Sequence, residues 1–338
     1  MANRNIIVMG ASAGGLSALR RIFEQLPGNL DAAVFIVWHI SPYNRSLLPD
    51  ILSRTGKLEA RHAVDGEEIQ TGKVYVAPPD RHMLIEGRRI RVTTGPKENR
   101  FRPAVDPLFR SAAYAFGRGV IGVILTGALE DGTAGLWAVK DRGGIAVVQD
   151  PTEAEQPSMP RSALNSVDVD HCLSTSEIAL VLVRLTQETI DEENTPLVSK
   201  ELEIETKIGL GVDAAELDVR RLGKISESTW PECHGSLVQV ANGTLQRFRC
   251  HTGHSFGNGS LLAEVSESAE QSLWTAIRAL EERVRLLKHL AQQAHDLEQT
   301  ELFASLDDEL QEAEKQADLL RQATLGSISK NGFERSSI

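Results

Sequence analysis

Between Asn5 and Leu185 short apolar runs alternate with amphipathic stretches, and this alternation constrains the fold more than any other feature of the 338-residue chain. A strand with no polar side chain has no solvated face, so it must lie inside a sheet covered on both sides, as a parallel sheet wrapped by helices is. The runs Ile6 to Met9, Ala33 to Trp38, Val74 to Ala77, Val120 to Leu125 and Ile145 to Val148 are read as its strands. Helices are predicted near Leu16 to Gln25, Ser46 to Ser53, Pro107 to Phe116, Thr133 to Asp141 and Glu177 to Thr186. "HMLIEGRRIRV", His82 to Val92, differs: two short strands around Glu86-Gly87 predict a β-hairpin at the edge of the sheet. The expected fold class is α/β, a doubly wound, mainly parallel sheet with an edge hairpin, followed by a small ribbon-like segment and a helical tail.

The boundaries follow composition. Residues 1–186 form the α/β domain, 187–225 an acidic linker interrupted by Pro196, 226–258 the ribbon-like segment rich in His, Cys and Gly, and 259–326 the tail. Residues 1–185 carry 21 Lys and Arg against 20 Asp and Glu, whereas residues 186–338 carry 15 against 27. Neither part has the basic surplus that phosphate contacts need, so nucleic acid is excluded as a partner. No apolar run reaches the roughly 18 residues of a membrane span, and the segment before Asn5 is too short and polar for a secretory leader. Three cysteines do not make a disulfide framework. A cytoplasmic protein without membrane insertion is expected.

Three strand ends carry reactive side chains. Ser12 lies in "GASAGGL", His39 in "FIVWHISP" and Asp131 in "VILTGALEDGTAG", each just past a buried strand. If those strands are neighbours, their carboxyl ends bring a nucleophile, a base and the group that orients the base to one edge. The N–H of Ala13, at the start of the following helix, would then point at a developing oxyanion. Taken singly, Ser12 and Asp131 read as helix caps and His39 as a core histidine; their coincidence at three strand ends favours a site. "GASAG" also fits the G-x-S-x-G nucleophile elbow, but there the partners follow in the order Asp, His, and here the order is His, Asp. A dinucleotide fingerprint fails because Ser12 takes the place of its second glycine and no acidic residue ends the second strand.

At these residues the chain resembles the catalytic domain of the chemotaxis protein-glutamate methylesterases. The resemblance runs from "IIVMGASAGGL" through "WHISP", "YVAPPDRHM", "FRPAVDPLFRSAA", "GVILTGALEDGTAGL" and "GGIAVVQDPTEAEQPSMPRSAL" to "VDVDHCL". It implies a serine hydrolase with Ser12 as nucleophile, His39 as base and Asp131 as its partner; the mechanism expected of these residues has His39 Nε2 take the Ser12 proton. It also implies backbone donors at Ala13 and Ala128 for the oxyanion, and no cofactor for catalysis. The implied substrates are glutamate methyl esters, and glutamines for deamidation, on the cytoplasmic helical region of methyl-accepting chemoreceptors. Leu129 stands where the family has glycine, which predicts a Cβ in an unusual backbone conformation. Arg102 is a candidate for the cleft wall. The receiver domain of typical members is not expected ahead of a strand that starts at Asn5. The alternative function is a catalytically silent scaffold that keeps the esterase fold and binds a receptor or signalling partner.

"TWPECHGSLVQVANGTLQRFRCHTGHSF" resembles a zinc ribbon that has lost a ligand, with Trp230 in place of the first cysteine. Cys233, Cys250 and His254 are the candidate ligands, with His234 and His251 as candidates for the fourth. Structural zinc takes four N/S ligands, so an empty site with Trp230 filling core space is expected. In the tail, Leu273, Ile277, Leu280, Val284, Leu287, Ala291 and Ala294, then Phe303, Leu306, Leu310, Ala313, Ala317 and Leu320, keep the spacing of a coiled-coil seam broken near Glu298 to Glu301. A helical hairpin or a homo-oligomer would bury it.

Overall fold

The computed structural model describes residues 2–334 apart from 44–45, 214–215, 218, 231–232 and 243–244. Within them the chain forms two compact units, Met1–Leu261 and Leu262–Ile338.

The first unit is built on seven parallel strands. In chain order they are β1 (Ile6–Ala11), β2 (Ala33–Trp38), β3 (Glu59–His62), β4 (Lys73–Val76), β7 (Val120–Ile124), β8 (Ile145–Gln149) and β9 (His171–Leu173), the numbers β5 and β6 belonging to a hairpin, His82–Glu86 and Arg89–Thr93. The order across the sheet is β9-β8-β7-β1-β2-β4-β3. The chain therefore starts in the middle, winds outward through β2, and returns to the other side of β1 at β7. Helices α1 (Gly15–Gln25), α2 (Leu48–Thr55), α3 (Val105–Phe116), α4 (Thr133–Asp141), α5 (Ser158–Ser166) and α6 (Thr175–Leu185) cover the sheet. Both faces are apolar: Val8, Phe35 and Ile124 pack on one side, Ile7, Val34 and Val123 on the other, all at 0% exposure. The all-apolar strands predicted from sequence follow from this two-sided burial. The hairpin, expected at the sheet's edge, instead makes its own two-stranded sheet and packs on α3, where Ser111 Oγ accepts the Ile85 N–H.

The stretch expected as an acidic linker contains α7 (Lys200–Gly209), which the Ser199 hydroxyl caps by accepting the Leu202 N–H. Leu202 and Ile208 are buried, and so is Glu205. The ribbon follows as an antiparallel sheet of β10 (Lys224–Thr229), β11 (Ser236–Asn242), β12 (Leu245–Cys250) and β13 (Ser255–Gly257). Its arginines explain the buried glutamate. Arg247 grips Glu205 with two hydrogen bonds of 2.7 and 2.8 Å, and Arg249 lies 3.0 Å from both Glu205 and Glu98, which also pairs with Arg110. Burial works against the Glu205 charge, but Arg247, Arg110 and Arg249 outweigh it and hold the carboxyl far below the glutamate range. Five ionised side chains taken out of water would each cost several kcal/mol without partners; here every member has one. The cluster joins the α/β sheet's own loop and helix (Glu98, Arg110) to α7 and the ribbon.

Helix α8 (Asn258–Asp296) starts in the first unit and continues into the second, where α9 (Thr300–Glu334) follows. The break falls where the heptad pattern does. Lys288 lies 2.7 Å from Glu314 and Arg321 pairs with Glu281, so the helices run antiparallel with Ile277, Leu287, Ala291, Ala313 and Ala317 buried along the seam. The two helices thus pair as a hairpin, one of the two arrangements expected for that stripe.

Candidate active site

The sheet register sets the positions of the three candidate residues. Ala11, the last residue of β1, pairs with Trp38, the last of β2. One step further on, the His39 N–H donates to the Ala11 carbonyl at 3.1 Å and the Ser12 N–H donates to the Thr126 carbonyl at 2.9 Å. Ser12, His39 and the loop after β7 thus leave the sheet side by side. The serine turn is fixed by its backbone: the Ser12 carbonyl accepts from Gly15 N and from Trp38 Nε1, each at 2.9 Å. Gly14, at φ 75°, occupies the left-handed region as the turn enters α1. The loop carrying Thr126 and Gly127 must approach closely, since a Cβ on Gly127 would sit 2.7 Å from the Ser12 Cβ.

Behind this edge Asp131 is 1% exposed and its carboxylate is filled with donors. Oδ2 accepts from His39 Nε2 at 2.7 Å and from Val105 N at 2.6 Å; Oδ1 accepts from Asn99 Nδ2 at 2.8 Å, Gly132 N at 3.0 Å and Asp106 N at 3.3 Å. Burial opposes the charge, but the bonds from His39, Val105 and Asn99 and the attraction of the imidazole prevail, holding the carboxyl below the ordinary aspartate range. With Nε2 committed to Asp131, the imidazole's other nitrogen, Nδ1, is buried and has no hydrogen-bond partner among the described residues. Nε2, expected from the sequence to face Ser12, is instead the nitrogen bonded to Asp131. No hydrogen bond joins Ser12 to His39 here; such bonds often tighten only when substrate is bound.

Ser12, Ala13, Trp38, His39, Arg100 and Phe101 are among the residues lining one open cleft of about 700 Å³. Phe101 lies flat on the His39 ring, centroids 3.8 Å apart and planes 9° from parallel. The N–H groups of Ala13 and Ala128 have no acceptor among the described residues; Ala128 stands outside the set that lines the cleft. Arg102 does not reach the cleft. It is held by Asp80 Oδ1 at 2.8 Å and the Gly95 carbonyl at 3.0 Å, and Arg100 takes the wall position. Phe101 and Asn99 went unread in the sequence, because they sit in an irregular loop with no periodicity to place them.

Leu129 has φ 63°, the left-handed conformation that its replacement of glycine foretold. A leucine Cβ in that conformation is strained. Leu129→Gly is expected to stabilise the fold by about 1 kcal/mol, relief of the Cβ clash partly offset by glycine's freer unfolded chain, read as a higher urea midpoint at unchanged slope.

In the ribbon, Cys233 Sγ is 3.9 Å from Cys250 Sγ, which is 3.4 Å from His254 Nδ1. The donors of the three residues cluster within 4.8 Å, without His234 or His251. These separations suit three corners of a zinc tetrahedron, but a closed structural site needs a fourth N or S donor. The Thr252 hydroxyl instead lies 2.9 Å from Cys250 Sγ and 3.0 Å from His254 Nδ1, and burial pushes the Cys250 thiol up, towards its protonated form. Trp230, stacked on Phe256 with centroids 3.9 Å apart, fills the core beside it. Among the described residues the cluster holds three donors, Cys233, Cys250 and His254.

The chain is similar to known proteins over its first half. A family model described as CheB methylesterase matches residues 7–182. A Leptospira interrogans protein named "Putative protein-glutamate methylesterase/protein-glutamine glutaminase" is 41% identical over 191 residues, 56% of this chain and 99% of that protein. The protein-glutamate methylesterase/protein-glutamine glutaminase of Escherichia coli K12 is 34% identical over 183 residues, 53% of this chain and 52% of that protein, so the match spans about half of that relative. The crystal structure of the Thermotoga maritima CheB methylesterase catalytic domain superposes with a TM-score of 0.52 at 33% identity, covering 55% of this chain and all of that one. The family model covers residues 7–182, more than half of the sequence, and the chain belongs to the CheB methylesterase family.

Proposed function

We propose that this chain hydrolyses methyl esters of glutamate side chains, and deamidates glutamines, on the cytoplasmic helical region of methyl-accepting chemoreceptors, with Ser12 as nucleophile. The observation that carries the reading is the 2.7 Å bond from buried His39 to buried Asp131 at the edge where Ser12 leaves the sheet. His39 Nδ1 takes the Ser12 proton as Oγ attacks the ester carbonyl, and Asp131 stabilises the imidazolium through Nε2–H. The N–H groups of Ala13 and Ala128 receive the oxyanion, one such donor being worth roughly 3 kcal/mol of barrier. The C–O bond to methoxide then breaks as Nδ1–H returns its proton, releasing methanol and leaving an acyl-enzyme. Water, deprotonated by the same nitrogen, splits the acyl bond and frees the carboxylate. For a glutamine side chain the leaving group is ammonia.

Methanol release from carboxymethylated receptor fragments tests the assignment, with Ser12→Ala as the reference. Equal background from wild type and variant would instead leave a silent scaffold. Catalysis on this reading uses no metal, and the ribbon's three donors are inferred to be held by Thr252 and packing. Elemental analysis of the purified chain is expected to find well under one zinc per molecule; stoichiometric zinc would show that a fourth ligand is recruited.

A further inference from the structure

We infer that Asn99 is a positioning residue for the Asp131 carboxylate, and that the end of the ribbon and the first turn of α8 hold it in place. The side-chain amide uses all of its hydrogen-bonding capacity. Nδ2 donates to Asp131 Oδ1 and to Asp106 Oδ2, both at 2.8 Å, while Oδ1 accepts from Gly257 N at 3.0 Å and Ser260 Oγ at 3.2 Å. Turning the amide over would set its oxygen against two carboxylates and its NH2 against two donors, so only one orientation is chemically allowed. Asn99 is 3% exposed, and its φ of 48° is a left-handed conformation that asparagine accepts more readily than most residues. Its own N–H is tied to the Ser255 carbonyl at 2.8 Å.

Two consequences follow for the site. Oδ1 of Asp131 is pinned by Asn99, so the carboxylate cannot rotate and Oδ2 stays aimed at His39. The amide also sits between two carboxylates that would otherwise repel each other. Burial, and after it the neighbouring Asp131 charge, push Asp106 up to about 7. The same helix start is gripped a second time from the residue before Asp131: Glu130 Oε1 accepts the Ser260 N–H at 2.7 Å. Residues 257–260 therefore fasten the loop that carries the base's partner, from a segment more than a hundred residues further along the chain.

The kinetic part of the test rests on the hydrolase reading; the spectroscopic part does not. Asn99→Gly, made in the full chain, removes the amide while keeping a residue that tolerates the left-handed backbone. Ser260→Ala removes one of the two bonds that hold the amide. Each is examined for the low-field proton resonance of His39 Nε2–H in histidine-labelled protein, and for kcat and KM of methanol release. For Asn99→Gly the ring resonance is expected to move upfield or broaden, and kcat to fall about 10- to 100-fold with KM within about twofold, the cost of a misplaced catalytic group. Ser260→Ala should move both in the same direction by less. An unchanged resonance in folded Asn99→Gly overturns the inference, as does an unchanged kcat; if that variant does not fold, an unchanged resonance in Ser260→Ala overturns it. A Ser12→Ala variant as active as wild type removes the hydrolase reading alone, and the ring resonance still judges Asn99.

Discussion

Ser12→Ala is expected to lower kcat for methanol release roughly 10⁴- to 10⁶-fold while leaving the urea midpoint almost unmoved. The size follows from what remains. Without the hydroxyl there is no acyl-enzyme, and only water positioned near the two backbone donors can react. The stability expectation follows from the turn's construction, since its bonds run from Ser12 N to the Thr126 carbonyl and from Gly15 N and Trp38 Nε1 to the Ser12 carbonyl. Alanine keeps all three. Kinetics and denaturation measured on one preparation separate loss of the nucleophile from loss of the fold.

The second large effect is expected of Asp131→Asn, a fall of about 10⁴-fold in kcat by way of the imidazole tautomer. An asparagine here must point its NH2 at one of two oxygen positions, and both are ringed by donors. At the Oδ1 position these are Asn99 Nδ2, Gly132 N and Asp106 N, none of which can become an acceptor. At the Oδ2 position they are Val105 N and His39 Nε2, and of these the imidazole nitrogen alone can shed its proton. The NH2 therefore faces His39, Nε2 becomes the acceptor and the ring proton moves to Nδ1, the nitrogen that has to receive the Ser12 proton. Val105 N also loses its partner, which costs about 1–3 kcal/mol for a buried donor. The check is kcat together with the ring tautomer read from histidine nitrogen shifts; a normal rate with the proton still on Nε2 contradicts this account.

The parallel sheet was legible because two-sided burial leaves no polar residue in β1, β2 or β7, and a strand of that kind announces itself. Ser12 and His39 stood out for a related reason: a hydroxyl and an imidazole directly after such strands lie one register step beyond the sheet, whereas Asp131 lies seven residues past Ile124, in a loop, and is buried. Leu129 was read from its departure from glycine, and its backbone angle agrees. Other parts depend on partners remote in sequence. The run holding Glu201, Glu203 and Glu205 reads as solvated linker, yet Glu205 is buried because Arg247 and Arg249 arrive from the ribbon. Which imidazole nitrogen meets Asp131 depends on how the ring leaves its strand, and no spacing encodes that. Asn99 and Phe101 lie in a loop whose path is fixed by Ser255 and Asp131 rather than by any repeat. Charged β3, Glu59–His62, escaped for lack of an apolar run, because an edge position buries only one of its four residues.

The ion cluster around Glu98 has a consequence for how the molecule is made. Ribosomes deliver about 5–20 residues per second, so Arg249 emerges several seconds or more after Glu98, and during that interval Arg110 is the sole cation of the cluster available to neutralise it. Translation thus completes every strand of the sheet, the last ending at Leu173, before Arg247 and Arg249 exist, so the cluster closes only once the ribbon has been made.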